Sequence, residues 1–273
     1  MNTLYLVATP IGNLEDLSPR AERILREAQL IAAEDTRVTG KLLAHFNIST
    51  PQTSYYEHNK LKKLESILST LAEGDVALVS DAGTPGINDP GYELVCAALA
   101  AGHEVSPIPG ASAPIAALVA SGLATDSFLY LGYLPRKSKE RRDKLQEVEH
   151  QPYTLIFLES PHRVLKALTD IEFVFGNRQI AVARELTKLY EEFFRGDVLS
   201  AREYFEVNAP RGEFTLVVAG KKLENAPWTE ANLRIAINAG IAEGESPSKL
   251  AKRLAREANW ERRDVYNLIS LIK

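Results

Sequence analysis

DVALVSDAGTPGINDPGYELVCAALAAG, residues 75–102, holds two apolar runs separated by a loop of glycine, proline and aspartate. The first run is short and rich in β-branched residues, which suits a strand buried on both faces. The second has the length and composition of a helix closed by Gly102. Between them lie Gly83, Gly86 and Gly91, with Pro85, Pro90, Asp81 and Asp89. The segment is therefore one strand–loop–helix unit. Its loop has no cysteine, no lysine to grip a phosphate and no Ser–His pair. What it offers a ligand is main chain and a little negative charge.

The same unit recurs on both sides. LYLVA (4–8) reads as a first buried strand, broken by TPIGN (9–13), and Ser18-Pro19 opens a helix with a side-chain cap and a proline in its first turn. LIAAE (30–34) reads as a strand, and LKKLESILSTLAEG (61–74) as an amphipathic helix closed by Gly74. EVSPIPG (104–110) and FLYLGY (128–133) read as strands flanking the helix SAPIAALVASG (112–122). Such alternation predicts a mostly parallel sheet with helices on both faces. A charged stretch, LPRKSKERRDK (134–144), then leads into a second set: YTLIFLE (153–159), a helix from His162, QIAVARE (179–185), EEFFRG (191–196) and EFTLVVAG (213–220), the last as a long antiparallel strand. Past Pro227 come three short helical segments without strands. The expected organisation is α/β, with one α/β domain over 1–134, a second over 135–225 and a small helical module over 226–273.

Composition narrows the function. Of 273 residues 45% are hydrophobic and 25% charged, with a net charge of −4, so the whole chain has no bulk affinity for nucleic acid. The charge is uneven: residues 221–273 carry 10 Lys and Arg against 7 Asp and Glu, leaving 22 against 29 in 1–220. A lone Cys96 inside the helical run excludes an internal disulfide and multi-cysteine metal sites, and it reads as a small buried hydrophobe. No basic leader and no run of about 20 apolar residues is visible, which points to the cytoplasm.

In an open α/β sheet ligands sit beyond the carboxyl ends of the strands. Three Gly/Pro loops fall there: TPIGN (9–13), the central loop and PGASA (109–113). Neither GxxxxGK[ST] nor GxGxxG is present, which disfavours triphosphate and dinucleotide sites. A main-chain-lined cleft beside Asp81 and Asp89 suits a zwitterionic or cationic ligand.

LVATPIGNLEDLS, AEDTR, LVSDAGTPGINDPG, PGASA, GYLPRK, ESPHR and GEFTLVVAG, in that order, closely resemble the bacterial small-subunit ribosomal RNA cytidine 2′-O-methyltransferases of the tetrapyrrole methylase superfamily. The resemblance spans nearly the whole chain. It implies S-adenosylmethionine in a cleft between two α/β domains, a homodimer, and methyl transfer to a cytidine ribose of 16S rRNA in the decoding region. Carried over, it puts Pro10 and Ile11 at the donor, then Asp81, Ala82, Gly83, Thr84 and Ile87, with Thr84 where the superfamily usually has an acid. Ser112 and Ala113 follow from PGASA, and Glu159 and Leu186 from the second domain. The sister activity, methylation of a tetrapyrrole or other small molecule, is the alternative.

A ribose hydroxyl is a weak acid, so a base or an alkoxide-stabilising cation helps its transfer. Candidates from the residues are Glu57 and His58 in YYEHN, then Asp35 and Arg37 in AEDTR. Plain alternatives are a helix cap at Asp35 and an exposed loop at His58. Candidate RNA contacts are Arg136 and Lys137 in the run that continues to Lys139, Arg141 and Arg142, and Arg163 at an expected helix N-terminus with Ser160 as its cap. Arg184 follows a strand, and Lys249, Lys252 and Arg253 head a tail series continuing to Arg256, Arg262 and Arg263. For each run a solvated surface is the plain alternative.

Overall fold

The structure is a computed structural model that describes residues 2–221 and 228–272. These form two compact units, meeting in sequence at 221/222. The module boundary read at 225/226 lies outside the described residues.

The first unit contains two five-stranded sheets. Strands β1 (Thr3–Val7), β2 (Leu30–Ala33), β3 (Gln52–Ser54), β4 (Val76–Val79) and β5 (Glu104–Ile108) form a wholly parallel sheet in the order β3-β2-β4-β1-β5. The short edge strand β3 has no apolar run to announce it. Helices α1 (Pro19–Glu27), α2 (Thr36–His45), α3 (Lys60–Glu73) and α4 (Tyr92–Ala100) connect the strands. Alternation along β4 feeds two cores: Val76 and Leu78 pack with Ile67, Leu71 and Leu94 on one face, while Ala77 and Val79 join Ile24, Leu25 and Ile31 on the other. Both faces are apolar, so the strand sequence runs hydrophobic without a break. The Ser18 hydroxyl caps α1 by accepting from Ala21 N at 3.1 Å, as the sequence implies.

The second sheet has β6 (Phe128–Tyr133), β7 (Thr154–Glu159), β8 (Gln179–Arg184), β9 (Glu192–Asp197) and β10 (Phe214–Val218), in the order β6-β7-β10-β8-β9. β10 lies antiparallel to β7 and β8, as expected from its sequence. β6 pairs in parallel with β7. The strand at 128–133 therefore belongs to the second sheet, although the sequence reading placed it before the 134/135 boundary. Hydrophobicity marks a strand without naming its neighbour. Helix α5 (Ala113–Ser121) crosses over as well: Ala117 and Leu118 pack on Ile156, Ala181 and Val217 of the second sheet. Three more helices, α6 (Ser138–Gln146), α7 (Val164–Phe175) and α8 (Val198–Val207), cover its other face. α7 starts at Val164, and Ser160 accepts the first amides through its main-chain oxygen rather than its side chain. Cys96 is exposed on α4, correcting the buried reading. The 3.6-residue spacing that makes α4 amphipathic turns Leu94 and Ala98 inward and Tyr92, Cys96 and Leu99 outward.

One buried ionic cluster ties α6 to α7. Arg141 Nε donates to Asp170 Oδ2 at 2.7 Å, Arg142 Nε to Oδ1 at 2.6 Å, and the Ser138 hydroxyl reaches both oxygens at 3.0–3.1 Å. Arg141 also caps the carbonyls of Pro135 and Arg136 at 3.1 Å. Its guanidinium is buried and spent, so it is removed from the basic run as an RNA contact.

In the second unit α9 (Glu230–Ala242), α10 (Pro247–Ala258) and α11 (Arg262–Ile272) close around Leu233, Ile237, Leu250, Leu254, Val265 and Ile269. These are the three tail helices that the sequence implies. No helix among the described residues is long and apolar enough to cross a membrane.

Burial alone would raise the Asp170 pKa, but hydrogen bonds from Arg142, Ser138 and Arg141 outweigh it and hold the carboxyl below its ordinary range. A depressed folded pKa contributes stability above the unfolded pKa of about 3.9 and loses it as pH falls through the folded value. Asp170→Ala leaves Arg141 buried without its partner and is expected to destabilise by about 3–5 kcal/mol. Urea unfolding at pH 7 measures this; a loss below about 1 kcal/mol contradicts the clamp.

Candidate functional site

The carboxyl ends of β1, β4 and β5 carry the three loops singled out in the sequence, and hydrogen bonds lace them together. Thr9 N donates to Gly83 O at 2.9 Å and Gly83 N to Thr9 O at 3.0 Å, a two-bond bridge between the first and second loops. The Thr9 hydroxyl reaches Ser80 O at 3.3 Å, and the Thr84 hydroxyl reaches Ala111 O in the third loop at 3.2 Å. Gly83 sits at φ 82°, a conformation that disfavours any residue with a Cβ. At Gly110 a Cβ would lie 2.9 Å from that of Ala8, so the third loop lies flat against the first.

These loops and the second sheet enclose a cleft of about 300 Å³, at the lower end of the ~300–1,000 Å³ range typical of small-molecule sites. Ile11, Asp81, Ala82, Gly83, Thr84, Ile87, Ser112 and Ala113 line it together, from three separate loops. Pro10 is half-buried beside Ile11 but does not line the cleft. Glu159 and Leu186 do not line it either. Leu186 belongs to the core under α5, and the buried Glu159 carboxylate binds Arg163 at 3.0 Å and its neighbour's amide, Ser160 N, at 3.0 Å. On β7 it is Leu158 that faces the cleft. One residue along a strand reverses the side chain, so a shift of one moves the assignment from Leu158 to Glu159.

The second sheet contributes residues that the sequence reading missed: Tyr130 and Tyr133 from β6, and Glu213, Phe214 and Thr215 at the start of β10. Tyr130 and Tyr133 are three apart, which in a regular strand would put them on opposite faces. The β6–β7 register shifts between these two residues, and Gly132 lies at φ 64°. That irregularity turns both phenols inward. The signal was present in the glycine of FLYLGY.

The cleft is acidic. Glu34, Asp81, Asp89 and Glu213 line it, with no lysine, arginine or histidine among the described lining residues. Glu34 Oε2 accepts from Asp81 N at 3.2 Å, and Asp81 Oδ1 accepts from Asp35 N at 3.0 Å. Burial pushes the Glu34 and Asp81 carboxyls upward, and neighbouring carboxylates add to the effect. Asp89 is pushed up to about 6, first by burial and then by repulsion from Glu34. The Tyr130 phenol is raised by burial to about 12. Main-chain amides, apolar side chains and an anionic wall suit a small ligand with positive charge, and the absence of cations disfavours a phosphate.

The base candidates lie elsewhere. Glu57 pairs with Lys60 at 2.9 Å and keeps 66% of its side chain exposed. His58 is exposed, edge-on to Tyr56, and neither residue lines the cleft. Asp35 caps α2 through Arg37 N at 2.8 Å and is forked by the Arg37 guanidinium at 2.6 and 3.0 Å, which holds its carboxyl down at about 2. The pair stands behind Asp81 rather than in the cleft.

Several expected RNA contacts bind partners within the chain. Arg163 binds Glu159 and Leu134 O, Arg184 binds Glu192 at 2.9 Å and Arg211 O at 2.9 Å, and Arg253 binds Glu245 and Glu257. Lys137 pairs with Glu140 at 2.9 Å on an exposed face. Arg136 and Lys139 near α6, and Lys249, Lys252, Arg256 and Arg263 in the helical unit, are exposed with no ion pair among the described residues.

The family model for tetrapyrrole (corrin/porphyrin) methylases matches residues 3–201. A Synechocystis protein called ribosomal RNA small subunit methyltransferase I is 51% identical over 271 residues, covering 98% of this chain and 97% of its own. A Halalkalibacterium halodurans protein of the same name is 48% identical, covering 97% and 94%. Among solved structures, a native uroporphyrin III C-methyl transferase from Thermus thermophilus superposes with a TM-score of 0.58 at 19% identity, over 80% of this chain and 97% of its own. Another, complexed with S-adenyl homocysteine, gives 0.56 at 18% identity, over 80% and 97%.

Gly132 lies against the Asn88 amide, and any Cβ there would run into it at a φ that already penalises one. Gly132→Ala is expected to push Asn88 across the cleft and weaken S-adenosylhomocysteine binding at least tenfold, while Gly122→Ala, at an open helix end with φ 80°, costs stability alone. Calorimetric titration of both variants decides; equal affinities contradict the close fit at β6.

Proposed function

The chain belongs to the tetrapyrrole methylase family, and from that premise we propose that it transfers a methyl group from S-adenosylmethionine to the ribose 2′-hydroxyl of a cytidine in the decoding region of small-subunit ribosomal RNA. The observation that carries this reading is the near full-length identity of 51% and 48% to two proteins called ribosomal RNA small subunit methyltransferase I. The related fold that binds S-adenyl homocysteine supports the choice of donor.

The cleft fits such a donor on its own chemistry. S-adenosylmethionine supplies an electrophilic methyl group on a positively charged sulfur, so the protein needs no nucleophile of its own. Glu34 and Asp81 favour positive charge near them. The main chain of Ala82, Gly83 and Ser112 is open to polar groups, and Ile11, Ile87 and Leu158 offer apolar cover. Asp35 and Arg37 act here by holding Asp81 in place through the Asp35 amide. Glu57 and His58 take no part in the cleft.

An acidic cleft repels RNA, so the backbone has to be held elsewhere. The free cations of α10 and α11 support that role, and Arg262 Nη2 joins the two helix starts by donating to the Ser248 hydroxyl at 3.1 Å. Arg136 and Lys139 offer a second patch. The working form in this reading is a homodimer in the cytoplasm.

The test is transfer of labelled methyl from S-adenosylmethionine to small ribosomal subunits lacking the modification, followed by nuclease mapping. Label on a cytidine 2′-oxygen is expected. Label on an added porphyrinoid, with none on subunits or naked RNA, would replace this reading with the small-molecule one. Lys249→Glu with Lys252→Glu is expected to weaken RNA binding and to lower the slope of log affinity against log salt by about 1.5–2. Donor affinity should stay unchanged.

A further inference from the structure

We propose that Asp89 is the general base that takes the proton of the acceptor hydroxyl; this rests on the transfer reaction read above. The case is made by how the other acids of the cleft are occupied. Glu34 accepts the Asp81 amide and Asp81 accepts the Asp35 amide. Glu213 binds Lys188 at 3.0 Å. Asp35 is forked by Arg37, and Glu159 is buried against Arg163. Each of these carboxylates is committed to a cation or to a main-chain donor. Asp89 lines the cleft and has neither among the described residues; the side chain it meets is the Ser80 hydroxyl, which tempers its rise without neutralising it.

Its setting is built rather than incidental. Asn88 before it holds φ 64°, a left-handed conformation, with its amide against Gly132 of β6. Pro90 after it disfavours helical backbone at Asp89. The groups that face Asp89 are Glu34 at the end of β2, Ser80 and Asp81 after β4, and Tyr130 and Tyr133 on β6. None is a cation. Half-buried and repelled by Glu34, the carboxyl titrates at about 6, where it is ionised at neutral pH yet still basic enough to accept a proton. Asp35, held at about 2, is a far weaker base.

In the step, the hydroxyl O–H bond breaks and its proton passes to an Asp89 oxygen. The electron pair left on the ribose oxygen forms the bond to the methyl carbon. The carbon–sulfur bond breaks, its pair stays on sulfur, and the sulfonium becomes a neutral thioether. Asp89 then returns the proton to water.

Single-turnover transfer to small subunits between pH 5 and 8 is measured for the wild type, Asp89→Asn and Asp89→Glu, with calorimetric S-adenosylhomocysteine affinity for each. The wild-type rate is expected to rise with pH through a midpoint near 6. Asp89→Asn should be slower by about 10²–10⁴-fold, lack that limb and keep its affinity within threefold. Asp89→Glu, which keeps a carboxylate, should recover part of the rate and the limb. An Asp89→Asn rate within tenfold of wild type overturns the assignment, as does a rate loss matched by an equal loss of affinity. If Asp89→Asn does not fold, a wild-type profile flat through pH 6 overturns it. A wild type that transfers no methyl to subunits removes the reaction itself, and the base with it; wild-type transfer undiminished by Asp89→Asn removes the base alone.

Discussion

The pair of hydrogen bonds between Thr9 and Gly83 holds the site together. Parallel strands end with unpaired main-chain groups, and their loops usually diverge. Here two loops that leave the neighbouring strands β1 and β4 pair for one more step, and Thr84 extends the lacing to the third loop through Ala111 O. Gly83 has to take a left-handed conformation to make that bridge, and Gly110 has to be small to lie on Ala8. The glycines are thus geometric requirements of a cleft walled by main chain. Once the loops are fixed, the acids around them are fixed too, because Glu34, Asp81 and Asp35 hold one another through amides.

The acidity of the cleft divides the labour of the molecule. The cationic donor and polyanionic acceptor of the proposed reaction ask for opposite charges, and the chain keeps its own charges apart in sequence. Carboxylates line the cleft, whereas Lys249, Lys252, Arg256 and Arg263 of α10 and α11 are exposed with no ion pair among the described residues. Some basic side chains near the sheets are structural. Arg141, Arg163 and Arg184 were chemically plausible phosphate ligands, yet each is taken up by a carboxylate and main-chain carbonyls.

Much of this was legible beforehand, and the failures share a cause. The strand–loop–helix repeat, the cap at Ser18, the three converging loops and the antiparallel last strand all depend on neighbours in sequence, and pattern reading recovers them. The placement of β6, the use of α5 by the second sheet and the inward turn of both Tyr130 and Tyr133 depend on tertiary pairing or on a one-residue irregularity. So does the fact that Leu158 rather than Glu159 lines the cleft on β7. A motif resemblance pointed to loops that line one cleft, and their glycines and prolines are sterically constrained. It said little about Glu57 and His58, whose surroundings impose no comparable constraint.

Helix α5 has a mechanical consequence. It starts in the third loop of the first sheet, where Ser112 and Ala113 line the cleft, and it is packed along its length on the second sheet by Ala117 and Leu118. One rigid rod is thereby anchored at both walls. Widening the gap would require either tearing α5 from its bed or unlacing the loop at its start, so the aperture is set by a strut rather than a hinge. Such a site meets its ligand already shaped.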